Sequence, residues 1–212
     1  NGRTPLHTAC IEQKYEAVEF FLNKCGDKTE FVNKCDNKKR TALHYTVEYI
    51  GDEKHQRIIE ILLKSGARTD IQDDEGKTPL HEIRHCSHGV SQVIKLLLGS
   101  NKKNIDTQDK SGLTPLHLAT KAGNVEAVRS LLLEGADVTI EDDDDGMTAL
   151  MFACQEYVAN SSTILQLLLE VKSDIEHFNR FGLTALQEAV AEGNISCVEA
   201  LLKYGADPNT VS

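Results

Sequence analysis

The sequence predicts an all-α chain of six stacked helix–turn–helix units joined by hairpin-like loops, on three observations. The stretch Gly112-Leu113-Thr114-Pro115-Leu116-His117-Leu118-Ala119 recurs with variations. Its copies are Thr4-Pro5-Leu6-His7, Thr41-Ala42-Leu43-His44, Thr78-Pro79-Leu80-His81, Thr148-Ala149-Leu150-Met151 and Thr184-Ala185-Leu186-Gln187, at spacings of 37, 37, 36, 34 and 36 residues. An apolar run follows each copy, and Gly66-Ala67, Gly135-Ala136 and Gly205-Ala206 close three of those runs.

Each tetrad reads as a helix start. The threonine hydroxyl accepts from a free N–H of the first turn, and proline suits the first helical position, where its missing N–H costs nothing. Ala42, Ala149 and Ala185 replace that proline with the best helix former. Leucine then points inward. The small pairs Ala9-Cys10, Ala119-Thr120, Ala153-Cys154 and Ala189-Val190 allow a neighbouring helix to come close. Second helices are expected over Val18 to Leu22, Ile58 to Leu63, Val93 to Leu98, Val128 to Leu133, Ile164 to Leu169 and Val198 to Leu202. The Gly-Ala pairs end three of them, because glycine tolerates a left-handed cap. Polar loops rich in Asp, Asn, Lys and Gly lead to the next tetrad. One such unit cannot bury its own apolar face, whereas stacked units bury a continuous one.

A Thr-Pro-Leu-His-x-Ala signature recurring at slightly over 33 residues resembles the ankyrin repeat, and six copies cover nearly the whole chain. The resemblance implies an ankyrin-repeat solenoid, a single domain over 1–212 with repeats at about 1–36, 37–74, 75–110, 111–145, 146–180 and 181–212. It also implies tetrad histidines that tie neighbouring loops together. The chain begins in a return loop at Asn1-Gly2 and has no initiator Met, so a piece of a longer protein is expected.

Composition agrees. Aromatics are 5% and Trp is absent, as suits a core of Leu, Ile, Val and Ala. No apolar run nears the roughly 18 residues of a membrane span, and no signal peptide is visible. The net charge of −10 argues against direct nucleic-acid binding, which needs clustered cations. Six cysteines (Cys10, Cys25, Cys35, Cys86, Cys154, Cys197) form no C-x-x-C pair, and the equivalent Cys10 and Cys154 read as core. A reduced, cytoplasmic setting is expected, with the nucleus as second choice. In that setting the sequons at Asn160 and Asn194 are chance matches.

The repeats differ mainly in their loops, where insertions cost little closure entropy. Repeat one has a long return from Cys25 to Cys35, repeat two an insertion at Tyr49 to His55, and repeat five extra residues around Asn160. Repeat two also carries Lys39 where the pattern has glycine. Repeat three departs most, with Ile83-Arg84 at the small pair and a stretched turn at Cys86-Ser87-His88-Gly89. Met151 and Gln187 stand where histidine is expected and, with Lys39 and Arg84, put the loop hydrogen bonds of repeats two, three, five and six in doubt, but not the fold. Repeat three is expected to be a weak joint.

Two motifs suggest metals. His81-Glu82-Ile83-Arg84-His85 satisfies H-E-x-x-H, with Cys86 or His88 as a further donor. Yet His81 belongs to the tetrad, and a metzincin would have glycine where His88 stands. Glu141-Asp142-Asp143-Asp144-Asp145-Gly146 resembles the start of a calcium loop, but position twelve from Glu141 is Phe152, not Glu. It reads as a solvated acidic tip, or as a contact for a basic partner segment. No metal, cofactor or catalytic set is expected, and the chain is read as a non-enzyme that is monomeric as a fragment.

The resemblance places a protein or peptide partner on a concave face of loop tips and first helices. The tips change from basic (Arg3, Arg40, Lys77) to apolar (Leu113, Met147, Leu183) along the chain. The candidate contacts are Arg40, Tyr45, Tyr49, Lys77, Leu113, Leu118, Met147, Phe152, Gln155 and Phe181. Leu113, Leu118, Met147, Phe152 and Phe181 form the central group, because exposed apolar clusters and aromatics mark binding surfaces. An adaptor or recruiting role is expected first. A Rel-type inhibitor that masks a transcription factor, or a regulatory part of a larger enzyme or channel, is the alternative.

Overall fold

The computed structural model describes residues 1–24, 28–49, 53–86, 89–99 and 102–212. Among them every regular element is helical, and they form two compact units, 1–110 and 111–212.

In the first unit the pairs are α1 (Pro5–Ile11) with α2 (Tyr15–Lys24), α4 (Ala42–Glu48) with α5 (Glu53–Lys64), and a 3₁₀ helix (Pro79–His85) with α6 (Val90–Leu98). First helices pack on first helices and second on second, so α1 meets α4, α4 meets the 3₁₀ helix, α2 meets α5 and α5 meets α6. In the second unit α7 (Pro115–Lys121) pairs with α8 (Val125–Glu134), α9 (Ala149–Ala153) with α10 (Ser161–Glu170), and α11 (Ala185–Ala191) with α12 (Ile195–Lys203). The three alanine starts hold: α4, α9 and α11 begin at Ala42, Ala149 and Ala185.

The tips are stitched by one backbone bond per step. Asn37 N–H donates to Asn1 O, Asp74 to Lys38 O, Lys110 to Glu75 O, Asp143 to Ser111 O and Arg180 to Asp145 O, at 2.8–3.2 Å. Within a tip, one side-chain oxygen of Asp36, Asp73, Asp142 or Asn179 accepts two backbone amides and closes the turn. The turn then needs a left-handed residue. Gly76, Gly112, Gly146 and Gly182 supply it in four loops, whereas Lys39 supplies it in repeat two at φ 59°.

Two local features differ from expectation. The long return of repeat one contains a short helix, α3 (Lys28–Val32). The first helix of repeat three is 3₁₀ instead of α. That winding repeats every 3.0 residues, and Leu80, Ile83 and Cys86, three apart, are all buried. The bulky Ile83 is thereby housed in the core while Arg84 turns partly outward. The centres of the insertions at 50–52 and 87–88, with Cys25 and His88, lie outside the described residues.

Candidate partner-binding faces

The tetrad histidines are structural. Thr4 N–H donates to His7 Nδ1 at 3.1 Å and the Thr4 hydroxyl lies 2.8 Å from the same nitrogen, while His7 Nε2 reaches Arg40 O at 3.0 Å. His44 repeats this with Thr41 (3.1 and 2.9 Å) and Lys77 O (3.1 Å). An amide N–H only donates and a carbonyl only accepts, so both rings are neutral with the proton on Nε2. Burial lowers both pKa values, that of His44 to about 4. Thr78–His81 and Thr114–His117 show the same pairing at Nδ1.

The two replacements of histidine behave differently. Gln187 reproduces the imidazole: its Oε1 accepts from Thr184 N–H at 2.8 Å and its Nε2 donates to Thr210 O at 3.0 Å. The doubt about repeat six is therefore removed. Met151 does not reproduce it, and the buried Thr148 hydroxyl finds no hydrogen-bond partner among the described residues.

In the first unit most of the candidate contacts are already engaged. Tyr45 is buried, with its hydroxyl donating to Asp36 Oδ2 at 2.7 Å. Its ring is flanked by the guanidiniums of Arg3 and Arg40, 4.5 and 4.4 Å from the centroid. Arg40 also donates to Glu48 Oε2 (2.8 Å) and Glu82 Oε1 (3.0 Å). Lys77 pairs with Glu75. Reading Arg40 and Tyr45 as free partner contacts is thus corrected: they hold the loops and first helices of the first unit together. Tyr49 remains exposed.

In the second unit the proposed apolar patch is mainly interior. Leu118, Met147 and Phe152 are 6%, 4% and 3% exposed. Phe152 meets His117 edge-on at 5.6 Å, and Lys121 Nζ covers its face at 4.3 Å. These three are corrected from contact residues to core, because packing leaves each at most 6% exposed, with Lys121 covering the Phe152 ring. Leu113 and Gln155 are half-buried, and Phe181 stands 70% exposed. Sequence reasoning missed Tyr157, an exposed aromatic just beyond α9 that donates to Gln155 Oε1. Its position in the residues after a short first helix was the available signal.

Charge divides sharply between the units. Residues 1–110 carry 18 Lys and Arg against 17 Asp and Glu, whereas 111–212 carry 5 against 16. Of those five cations, Lys121 lies on Phe152 and Arg180 donates to the carbonyls of Asp143 and Asp144. Asp142 is buried, closing its turn. Burial raises the Glu188 carboxyl's pKa; the hydrogen bond from Asn179 (2.6 Å) opposes this, and the charges of Glu192 and Asp145 add to it.

The H-E-x-x-H residues have other work. His81 is bound to Thr78, and Glu82 is buried against Arg40 and Arg84. On a 3₁₀ helix, positions i and i+4 point about 120° apart, so His81 and His85 share no face. Among the described residues no three His, Cys, Asp or Glu side chains gather to hold a metal ion.

A family model for ankyrin repeats, in three copies, matches residues 1–73, 52–142 and 130–212. The chain belongs to the ankyrin repeat family. It is similar to the B-cell lymphoma 3 protein homolog of Mus musculus, 36% identical over 98% of this chain and 45% of that protein. The nuclear factor NF-kappa-B p105 subunit of Gallus gallus is 29% identical over 99% of this chain and 21% of its own length. The crystal structure of the ankyrin repeat domain of Bcl-3, a member of the IkappaB family, aligns with a TM-score of 0.81 at 27% identity, covering 98% of this chain and 88% of that one. The chain spans less than half the length of these curated relatives. Its ankyrin repeats make it a protein-interaction module, a fold that is typically non-catalytic. Among the described residues no helix is long and apolar enough to cross a membrane.

Proposed function

We propose that this ankyrin module recruits a protein partner to the polypeptide that carries it, has no turnover of its own, and acts in the cytoplasm or nucleus. The partner is an extended or folded protein segment with basic groups, held on the tips and first helices of the second unit. The supporting observation is the second unit's exposed Phe181, next to Arg180, which is bound to the backbone of the acidic tip at Asp143, Asp144 and Asp145, in a unit whose 16 anions are offset by 5 cations. Tyr157, Gln155 and Leu113 extend the contact, while Tyr49 and Lys77 offer one in the first unit. Aromatics at an acidic surface favour a partner that supplies both apolar and cationic side chains.

The test is photocrosslinking in cell lysate from a reactive side chain placed at position 181, against a control at Phe20 on α2. A partner that crosslinks from 181, and whose capture by the unlabelled protein is lost on Phe181→Glu, supports the reading; equal crosslinking from both positions would refute it. Phe152→Glu would be a poor probe, since the ring is core.

The likeness to the Bcl-3 domain favours a second, narrower reading, in which the partner is a Rel-type transcription factor held as by an IkappaB protein. Saturable binding of a purified Rel homology dimer would support it, and no binding at micromolar concentration would exclude it.

A further inference from the structure

Two buried thiols of the second unit meet across a repeat boundary. Cys154 follows α9 in repeat five, Cys197 lies in the first turn of α12 in repeat six, and both are fully buried. The Cys197 thiol donates to Ala153 O at 3.6 Å, beside Cys154, and the Cys154 thiol donates to Leu150 O at 3.4 Å. Asn194, the N-cap of α12, ties the two segments together. Its Oδ1 accepts from Cys197 N–H at 3.2 Å, while its Nδ2 donates to Cys154 O at 3.2 Å and Ser161 Oγ at 3.3 Å. The two sulfurs are thereby held within hydrogen-bonding reach of each other.

Packing alone does not require this pair. Repeat four has the same N-cap at Asn124, whose Oδ1 accepts from the amide three residues on, but that residue is Ala127. Thr120 takes the place of Cys154 there. In repeat one Cys10 takes it, facing Thr46 and not a second thiol. The pair also divides its acidity. A hydrogen bond from Cys154 draws the Cys197 thiol below its ordinary pKa; burial opposes this, and the Ser161 hydroxyl adds to it. The Cys154 thiol is raised, by that same bond first and then by burial. The first turn of α12 favours a thiolate at Cys197 as well. A thiolate beside a thiol is the arrangement of an attacking and a resolving cysteine.

We infer that Cys154 and Cys197 are a dithiol that a hydroperoxide converts to a disulfide, stapling repeat five to repeat six. The Cys197 thiolate attacks one oxygen of hydrogen peroxide. An S–O bond forms, the O–O bond breaks, and the departing hydroxide takes up the proton that Cys197 released. The Cys154 sulfur then attacks the Cys197 sulfur, so that S–S forms and S–O breaks, and the second hydroxide leaves with the Cys154 proton. The two thiols lose two electrons and two protons, and the peroxide becomes two waters. Because both sulfurs are buried, peroxide reaches them during local opening.

The experiment exposes the folded protein to hydrogen peroxide, blocks the remaining thiols in denaturant and maps linked peptides by mass spectrometry. A Cys154–Cys197 link that dithiothreitol removes is expected, and amides of α10 and α12 should then exchange about tenfold more slowly. Cys154→Thr and Cys197→Ala carry the residues that repeat four uses at these places, so both variants should fold. Cys154→Thr is expected to leave a Cys197 sulfenic acid that dimedone traps, and Cys197→Ala to leave Cys154 unoxidised. Full oxidation of the exposed Cys35 with the pair still reduced overturns the inference, and so does a link that forms only in urea. A link that leaves exchange unchanged would overturn the staple.

Discussion

The His44 ring takes the Thr41 amide and hydroxyl on Nδ1 and gives its Nε2–H to Lys77 O. Protonation would set an N–H against the amide donor in a buried site. The folded pKa of about 4 lies below the unfolded value of about 6.5. His44 therefore contributes fully above pH 6.5, and the contribution fades as pH falls from 6.5 to 4, by an upper limit of about 3 kcal/mol. His7 acts in the same direction. Because Gln187 already performs this role with an amide, His44→Gln is expected to keep both hydrogen bonds and to flatten the acid loss. Urea titrations at pH 7 and pH 4.5 check this, and an undiminished pH dependence would remove His44 as its source. The threonines provide a second comparison. Thr41→Val breaks the bond to His44 and should cost about 1–2 kcal/mol. Thr148→Val removes a buried hydroxyl that has no partner among the described residues, so a change within about 0.5 kcal/mol is expected. Equal costs at the two sites would mean that Thr148 is bonded in solution.

Among the elements, the helix starts and the apolar second helices were legible because each rests on residues close in sequence. The place of Lys39 at a glycine position was legible, but that Lys39 would take the left-handed conformation, and that Asp36, Asp73, Asp142 and Asn179 would close the turns, was not. The 3₁₀ winding of Pro79–His85 was not legible, although Ile83-Arg84 marked the place: i, i+3 and i, i+4 spacings differ too little over seven residues to separate the two windings. The five-residue α3 was too short to carry a period. Nor was the burial of Tyr45 and Phe152 legible. An aromatic four residues past the threonine looks exposed on a helix wheel, and it is covered by a cation of the preceding repeat, Arg3 on Tyr45 or Lys121 on Phe152, with Arg40 of its own tip on Tyr45 as well. A 3₁₀ segment has poorer hydrogen-bond geometry than an α-helix. Repeat three is therefore expected to open locally more often than repeat four, whose first helix, α7, is α-helical; both first helices carry a full capping box, so the winding is what differs. Amide hydrogen exchange measures it: protection factors over Pro79–His85 should fall below those of Pro115–Lys121 by about tenfold. Uniform protection across both would show that the winding carries no penalty.

Over the whole molecule, the sequence displays a net charge of −10, yet that figure conceals its distribution. A nearly neutral first unit and a second unit with 5 cations against 16 anions are different surfaces on one chain. An adaptor with uniform charge would attract a partner equally along its length, whereas this distribution draws a basic segment to the second unit first. Long-range attraction acts on the encounter and is screened with a Debye length of about 8 Å at physiological ionic strength. Once docked, close contacts at Phe181 are screened much less. Raising salt from about 50 to about 300 mM should therefore slow association of the captured partner by about tenfold while changing dissociation far less. Glu188→Gln with Glu192→Gln should reduce that salt dependence, because both charges leave the second unit's side of the encounter. Corresponding changes at Asp74 and Glu75 in the first unit should leave it nearly unaltered. Surface-immobilised kinetics across a salt series separate the two rates. A salt response carried equally by both pairs of substitutions would place the encounter on the first unit as well, and would remove the acidic half as the basis of partner choice.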